Sequence, residues 1–187
     1  MSTKAMPVKL DSVKLCQWLK LYDIERYLFE EVSQRFGDKR TLEPYDFFAI
    51  IIWKSNRAKT KIKKGLARAG KSVRELMRKV SQADTPEAKV ETLLQIWGIG
   101  LPIASAVLTV CYPEEFTVLD YRAWETLKEA VVSDLPSRYP RSTKEYCQYC
   151  RACRHFANQM GLSLRNLDRA LWAKSWQDDL LDLTKGL

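Results

Sequence analysis

The sequence predicts an all-α fold, a compact multi-helix domain. Helix start and stop signals recur along the chain, and apolar residues between them return at helical spacing. The one run rich in β-branched residues has no visible partner strand. A length of 187 residues suits a single domain spanning 1–187. An organisation in two lobes, 40–132 and 1–39 plus 133–187, is compatible with the same reading.

The first helix runs from Ser12 to Leu21, with Val13, Leu15, Cys16, Leu19 and Leu21 at apolar spacing and Asp11 as its cap. Asp23 caps a second helix through Arg35, closed by Gly37. Pro44 opens an apolar segment, Phe47 to Trp53, whose β-branched content would also suit a strand. Its neighbours are helical, so it reads as a buried helix. A basic helix follows near 57–69 and ends at Gly70. Ser72 and Glu75 form a capping box, in which each side chain satisfies a free N–H near the other. Thr85 precedes Pro86, and proline suits the first helical position because that N–H has no partner in the helix anyway. Ser142 and Glu145 repeat the capping box, Gly161 closes that helix, and Ser163 caps the last one, Leu164 to Lys174. Pro136 and Pro140 bracket the loop before these C-terminal helices.

The net charge is +8 and the pI about 9.3. Lys54 to Lys79 contains eleven basic residues and a single acid, Glu75, so this segment carries +10 and the rest of the chain is net negative. Localised positive charge is the footprint of phosphate contact, although a solvated helix face looks the same in sequence. No apolar run near the start and none of about 18 residues is present, so neither a signal peptide nor a membrane span is predicted. Five cysteines without a secretion signal predict a reducing cytoplasm, with nucleoid association when DNA is bound.

The most informative segment is 93–109. Gly98 and Gly100 flank Ile99 between two apolar stretches, a pattern that lets two helices reverse direction within a few residues. Ile99 plugs the gap, small Ala104 and Ala106 allow close approach, and Pro102 suits an early helical position. The free N–H groups that open the second helix can bind a phosphate without base preference. An apolar loop then delivers Asp120 to the start of another helix. Asp is a favoured helix cap, and taken alone Asp120 reads most simply as one.

The stretch Leu93 to Trp124 resembles the helix-hairpin-helix base-excision DNA glycosylases, the superfamily of endonuclease III. Trp97-Gly98-Ile99-Gly100 is similar to their hairpin, with Trp in place of Pro, and Ala104 matches a small residue. Asp120 falls eighteen positions after Pro102 with an apolar lead-in, as the family's catalytic Asp does. The similarity is convincing over about 32 residues and plausible over about 45–130. It implies a DNA glycosylase-like fold and contact with double-stranded DNA through Gly98, Ile99, Gly100, Leu101 and Ile103. Asn56 would fill the gap left by an extruded base, and Arg57, Lys59, Lys61, Lys63 and Lys64 would meet phosphates. Asp120 would be the catalytic carboxylate, stabilising charge on the sugar and activating water. Trp53, Tyr121 and Trp124 are candidates to hold the base.

Departures shape the expectation. Bifunctional members place a lyase lysine where this chain has Pro102, so the resemblance implies a monofunctional enzyme, unless Lys54 is a displaced catalytic amine. Tyr121-Arg122 replaces the family's Thr-His. No cofactor is expected beyond a monovalent cation at the hairpin. Cys147, Cys150 and Cys153 lie at i, i+3 and i+6, a spacing unlike the family's iron–sulfur ligands, and read as buried apolar cysteines. With a lone His155, no metal site is expected. Two other functions fit the same residues: a non-catalytic DNA-binding module with Asp120 only a cap, or a helical interaction domain whose basic face meets an acidic protein.

Overall fold

The computed structural model describes residues 12–130 and 132–186, and among them the chain forms helices and turns with no strand. The proposed cap Asp11 lies outside the described residues. Helix α1 (Ser12–Tyr22) leads into a continuous helical run made of α2 (Ile24–Arg26), a π-helical stretch Tyr27–Val32, and α3 (Ser33–Lys39). Asp23 caps this run as expected, accepting from the Arg26 N–H at 3.0 Å. Gly37 does not end it. The buried Phe36 keeps the helix going to Lys39, and Arg40 closes it in the left-handed conformation at φ 52°, its N–H bonded to the Phe36 carbonyl. A left-handed residue frees the chain to turn without a glycine, at some conformational cost.

The π-helical stretch carries Tyr27, whose hydroxyl donates to the buried Asp46 at 2.6 Å. Arg35 donates to both oxygens of Asp46 and to the Tyr27 hydroxyl. This network satisfies a buried carboxylate and fastens the first helical run to α4 (Pro44–Ser55). Helix α4 is the apolar segment, and it buries Phe47, Ile50 and Ile51. A 3-10 turn, Asn56–Ala58, separates it from α5 (Lys59–Arg68). The basic helix is therefore shorter than expected, and it buries only Ile62, Gly65 and Leu66.

Helix α6 (Val73–Gln82) starts with the Ser72–Glu75 capping box, and α7 (Pro86–Leu94) starts with the Thr85 cap. A turn over 95–100 leads to α8 (Leu101–Cys111), in which only Pro102 is exposed. Helix α8 packs against α4 and α7 at the centre of the molecule. Then follow α9 (Tyr121–Glu129), α10 (Thr143–Gln159) and α11 (Leu164–Thr184). Helix α11 runs well past Lys174, because no Gly or Pro interrupts it there and Arg122 on α9 holds both Ser175 and Asp179. One apolar core joins Leu28 and Phe36 near the start, α8 in the middle, and Tyr146, Leu164 and Leu171 near the end. Among the described residues no helix is long and apolar enough to cross a membrane.

Candidate functional site

Asp120 is placed by the loop that follows α8. The Leu119 N–H donates to the buried Ser105 hydroxyl at 2.9 Å, and that hydroxyl donates to the Pro102 carbonyl at 2.8 Å. The Tyr146 hydroxyl, itself fully buried, donates to the Thr117 carbonyl at 2.9 Å. Phe116, Val118 and Leu119 are buried, so the loop is fixed on both sides of its backbone. Asp120 then serves as the N-cap of α9, its Oδ1 accepting from the Arg122 N–H at 3.0 Å. Its second oxygen, Oδ2, lies 2.8 Å from Lys54 Nζ at the end of α4. The cap leaves one oxygen over, and that oxygen faces a cation across 66 positions of sequence. Side-chain exposure is 15% for Lys54 and 27% for Asp120, so the pair is shielded but reachable.

The pair lines a cavity of about 560 Å³ with Glu25, Trp53, Val118, Arg165, Asp168, Arg169 and Trp172. This is the size of a small-molecule site. Four separated segments meet here. The most numerous residues come from α11, where Arg165, Asp168, Arg169 and Trp172 sit at i, i+3, i+4 and i+7, one face of a helix. Sequence reading passed over all four. That polar and aromatic stripe on the last helix was the available signal, but it has the look of an ordinary solvated face.

The charges in the cavity are paired. Arg165 binds Glu25 at 2.8 Å and also Asp168, and its guanidinium lies over the rings of Phe29 and Trp53 at 4.5 and 5.3 Å. Arg169 binds the other oxygen of Glu25 at 2.7 Å. Burial works against the Glu25 carboxylate, but Arg169 and Arg165 outweigh it and hold Glu25 below its usual range. For Asp168 burial wins over Arg165 and Lys54, and the carboxyl is pushed up to about 6.

Of the three aromatic candidates for a base pocket, only Trp53 lines the cavity. Tyr121 is exposed, while Trp124 is buried beside Tyr121 and Tyr139 in an aromatic cluster of its own. The physical reason is helix geometry. Tyr121 and Trp124 follow the cap at Asp120, and α9 directs them to a side other than the one its cap faces.

The turn between α7 and α8 rests directly on α5. A Cβ on Gly65 would sit 2.0 Å from the Trp97 carbonyl oxygen, so only glycine permits this approach. Gly98 has φ +101° and a Cβ there would meet Lys61 at 2.9 Å. Gly100 carries no such demand, since its φ is −103° and a Cβ would make only an ordinary contact with Pro102 at 3.9 Å. The ring of Trp97, about half exposed, is covered by Lys61 and Arg68 at 4.9 and 4.3 Å. Lys59, Lys61, Lys63, Lys64 and Arg57 are exposed, and the turn and the basic helix form one continuous surface. Asn56 is exposed too, with its side-chain oxygen held by Lys59.

Of the backbone donors expected for a phosphate, that of Ile103 is already engaged. The Ile99 N–H bonds to the Ile96 carbonyl and the Ile103 N–H to the Gly100 carbonyl, because the turn closes with tight three-residue bonds. Gly100 and Leu101 have no such bond among the described residues. The Ile96 carbonyl accepts from the Ile99 N–H, and the Trp97 carbonyl lies against Gly65. Cys147, Cys150 and Cys153 lie buried along α10, and burial raises the thiol of each.

No family model matches this sequence, and neither a curated protein nor a solved structure matches it.

Proposed function

We propose that this chain is a helix-hairpin-helix DNA glycosylase that hydrolyses the N-glycosidic bond of a modified or mismatched base, with Asp120 as the catalytic carboxylate. The observation that carries the reading is the Asp120 oxygen that the helix cap leaves over, which meets Lys54 in a cavity lined by two indoles, Trp53 and Trp172. Breaking the bond builds positive charge on the sugar, and a fixed carboxylate stabilises it without reorganising. An extruded base needs a flat apolar wall, which the indoles supply. The exposed lysines of α5, beside the Gly98 turn, offer a phosphate track. Asp120→Asn keeps the size and the cap while removing the charge. On a panel of damaged duplexes it is expected to retain DNA binding and to slow base release by at least about a hundredfold. A wild-type protein that binds these duplexes but releases no base would leave the binding-module reading in its place.

A second reading concerns Lys54. Its amine lies 2.8 Å from Asp120 inside the cavity. An amine there is placed to attack the sugar carbon and give a Schiff base, which would make the enzyme a lyase as well as a hydrolase. The hydrolytic reading expects intact abasic strands that break only in alkali. Borohydride trapping separates the two: a covalent DNA adduct that disappears in Lys54→Ala selects the lyase.

A further inference from the structure

Besides Asp120 the cavity holds two carboxylates that the proposed hydrolysis leaves unused, Glu25, which two arginines hold, and Asp168. Asp168 is buried on α11, and one of its oxygens is held by Arg165. Its other oxygen accepts no hydrogen bond from the described residues, and the side chain lines the same cavity as Asp120. Arg165 is itself fixed by Glu25 and by the rings of Phe29 and Trp53, so it holds Asp168 in one orientation. Accepting the glycosylase reading, we infer that Asp168 is the general acid that protonates the departing base, while Asp120 acts at the sugar. The substrate class that follows is a base that is neutral in the duplex and would otherwise have to leave as an anion.

The bond between C1′ and the base nitrogen breaks with its electron pair going to the base. The Asp168 carboxyl passes its proton to a ring nitrogen or exocyclic oxygen of that base. Water adds to C1′ and gives up a proton to the Asp120 carboxylate. Asp168 is left ionised and Asp120 protonated, and solvent restores both.

Asp168 is suited to the task by its surroundings. Arg165 on its own helix and Lys54 on α4 favour its charged form. Asp120 and Glu25 oppose it, and Tyr149 and Cys153 of α10 lie close by. Burial is the largest influence, and the carboxyl titrates near 6, within reach of the pH at which a general acid works.

The test uses single-turnover base release by the full chain. One set of duplexes carries neutral lesion bases such as hypoxanthine, uracil or 8-oxoguanine. The other carries N7-methylguanine, which is already cationic and leaves without a proton. With neutral bases the wild-type rate is expected to fall about tenfold per pH unit above about 6, as the acid form is lost. Asp168→Asn is expected to slow neutral-base release by at least about a hundredfold, to flatten that limb, and to slow methylguanine release far less. Asp168→Glu, which keeps a proton donor, is expected to restore part of the rate and the limb. Equal slowing on both substrates, or a wild-type rate that does not fall above pH 6, overturns the acid role and leaves the glycosylase reading standing. Release of the cationic base alone does the same. No release from any duplex by the wild type removes the glycosylase reading and the acid role together.

Discussion

Ser105 shows how much a single hydroxyl decides. It lies between Ala104 and Ala106, and at the level of sequence it is one more small residue on a close-packed helix. In the fold its oxygen takes the buried Leu119 N–H and so fixes the residue before Asp120. Ser105→Ala leaves that N–H without a partner, a cost of about 1–3 kcal/mol. We expect thermal or denaturant unfolding to show this loss, with base release falling as Asp120 loses its placement. A variant as stable as the wild type would mean that the loop holds itself. Asp120 makes a related point. A cap and a functional carboxylate look like competing readings in sequence, yet the residue has two oxygens, and the cap uses one of them.

Among the elements, the α7–α8 turn and α5 belong together. The paired glycines Gly98 and Gly100 look equivalent in sequence, and they are not. Gly98 holds a left-handed backbone against Lys61 and Ile62, whereas Gly100 has an extended backbone with room for a side chain beside Pro102. Gly98→Ala is therefore expected to destabilise by about 1–3 kcal/mol, while Gly100→Ala changes the unfolding midpoint little. Equal effects of the two substitutions would contradict this geometry. Gly65, mid-helix and inconspicuous in sequence, is what lets the turn sit on the basic helix. Helix propensity disfavours glycine there by about 1 kcal/mol relative to alanine. The close approach to Trp97 gives that cost its reason.

At the scale of the whole molecule, the chain brings its start, middle and end around one cavity, with a concentrated positive surface on α5. If that surface meets DNA, affinity falls steeply with salt, because each phosphate contact releases counterions. Replacing Lys61 or Lys64 by Ala is expected to lower the slope of log affinity against log salt by about one for each phosphate no longer neutralised. Binding titrations that stay flat from low to physiological salt would rule out a phosphate track. The helices themselves were legible in the sequence, because their signals are local. The capping boxes at Ser72 and Ser142 and the caps at Asp23, Thr85, Asp120 and Ser163 act within one turn, and each forms. The ends set by packing were less legible. Phe36 carries its helix past Gly37, and Arg122 accompanies α11 beyond Lys174. The sequence by itself determined the all-helical character, the concentration of positive charge and the candidacy of Asp120. Only the tertiary structure decided that Asp120 meets Lys54, and that α11 supplies Arg165, Asp168, Arg169 and Trp172 to the same cavity. The physical reason is range. Hydrogen bonds that start a helix join near neighbours, whereas the polarity of a cavity depends on which distant helix faces the core packing turns inward.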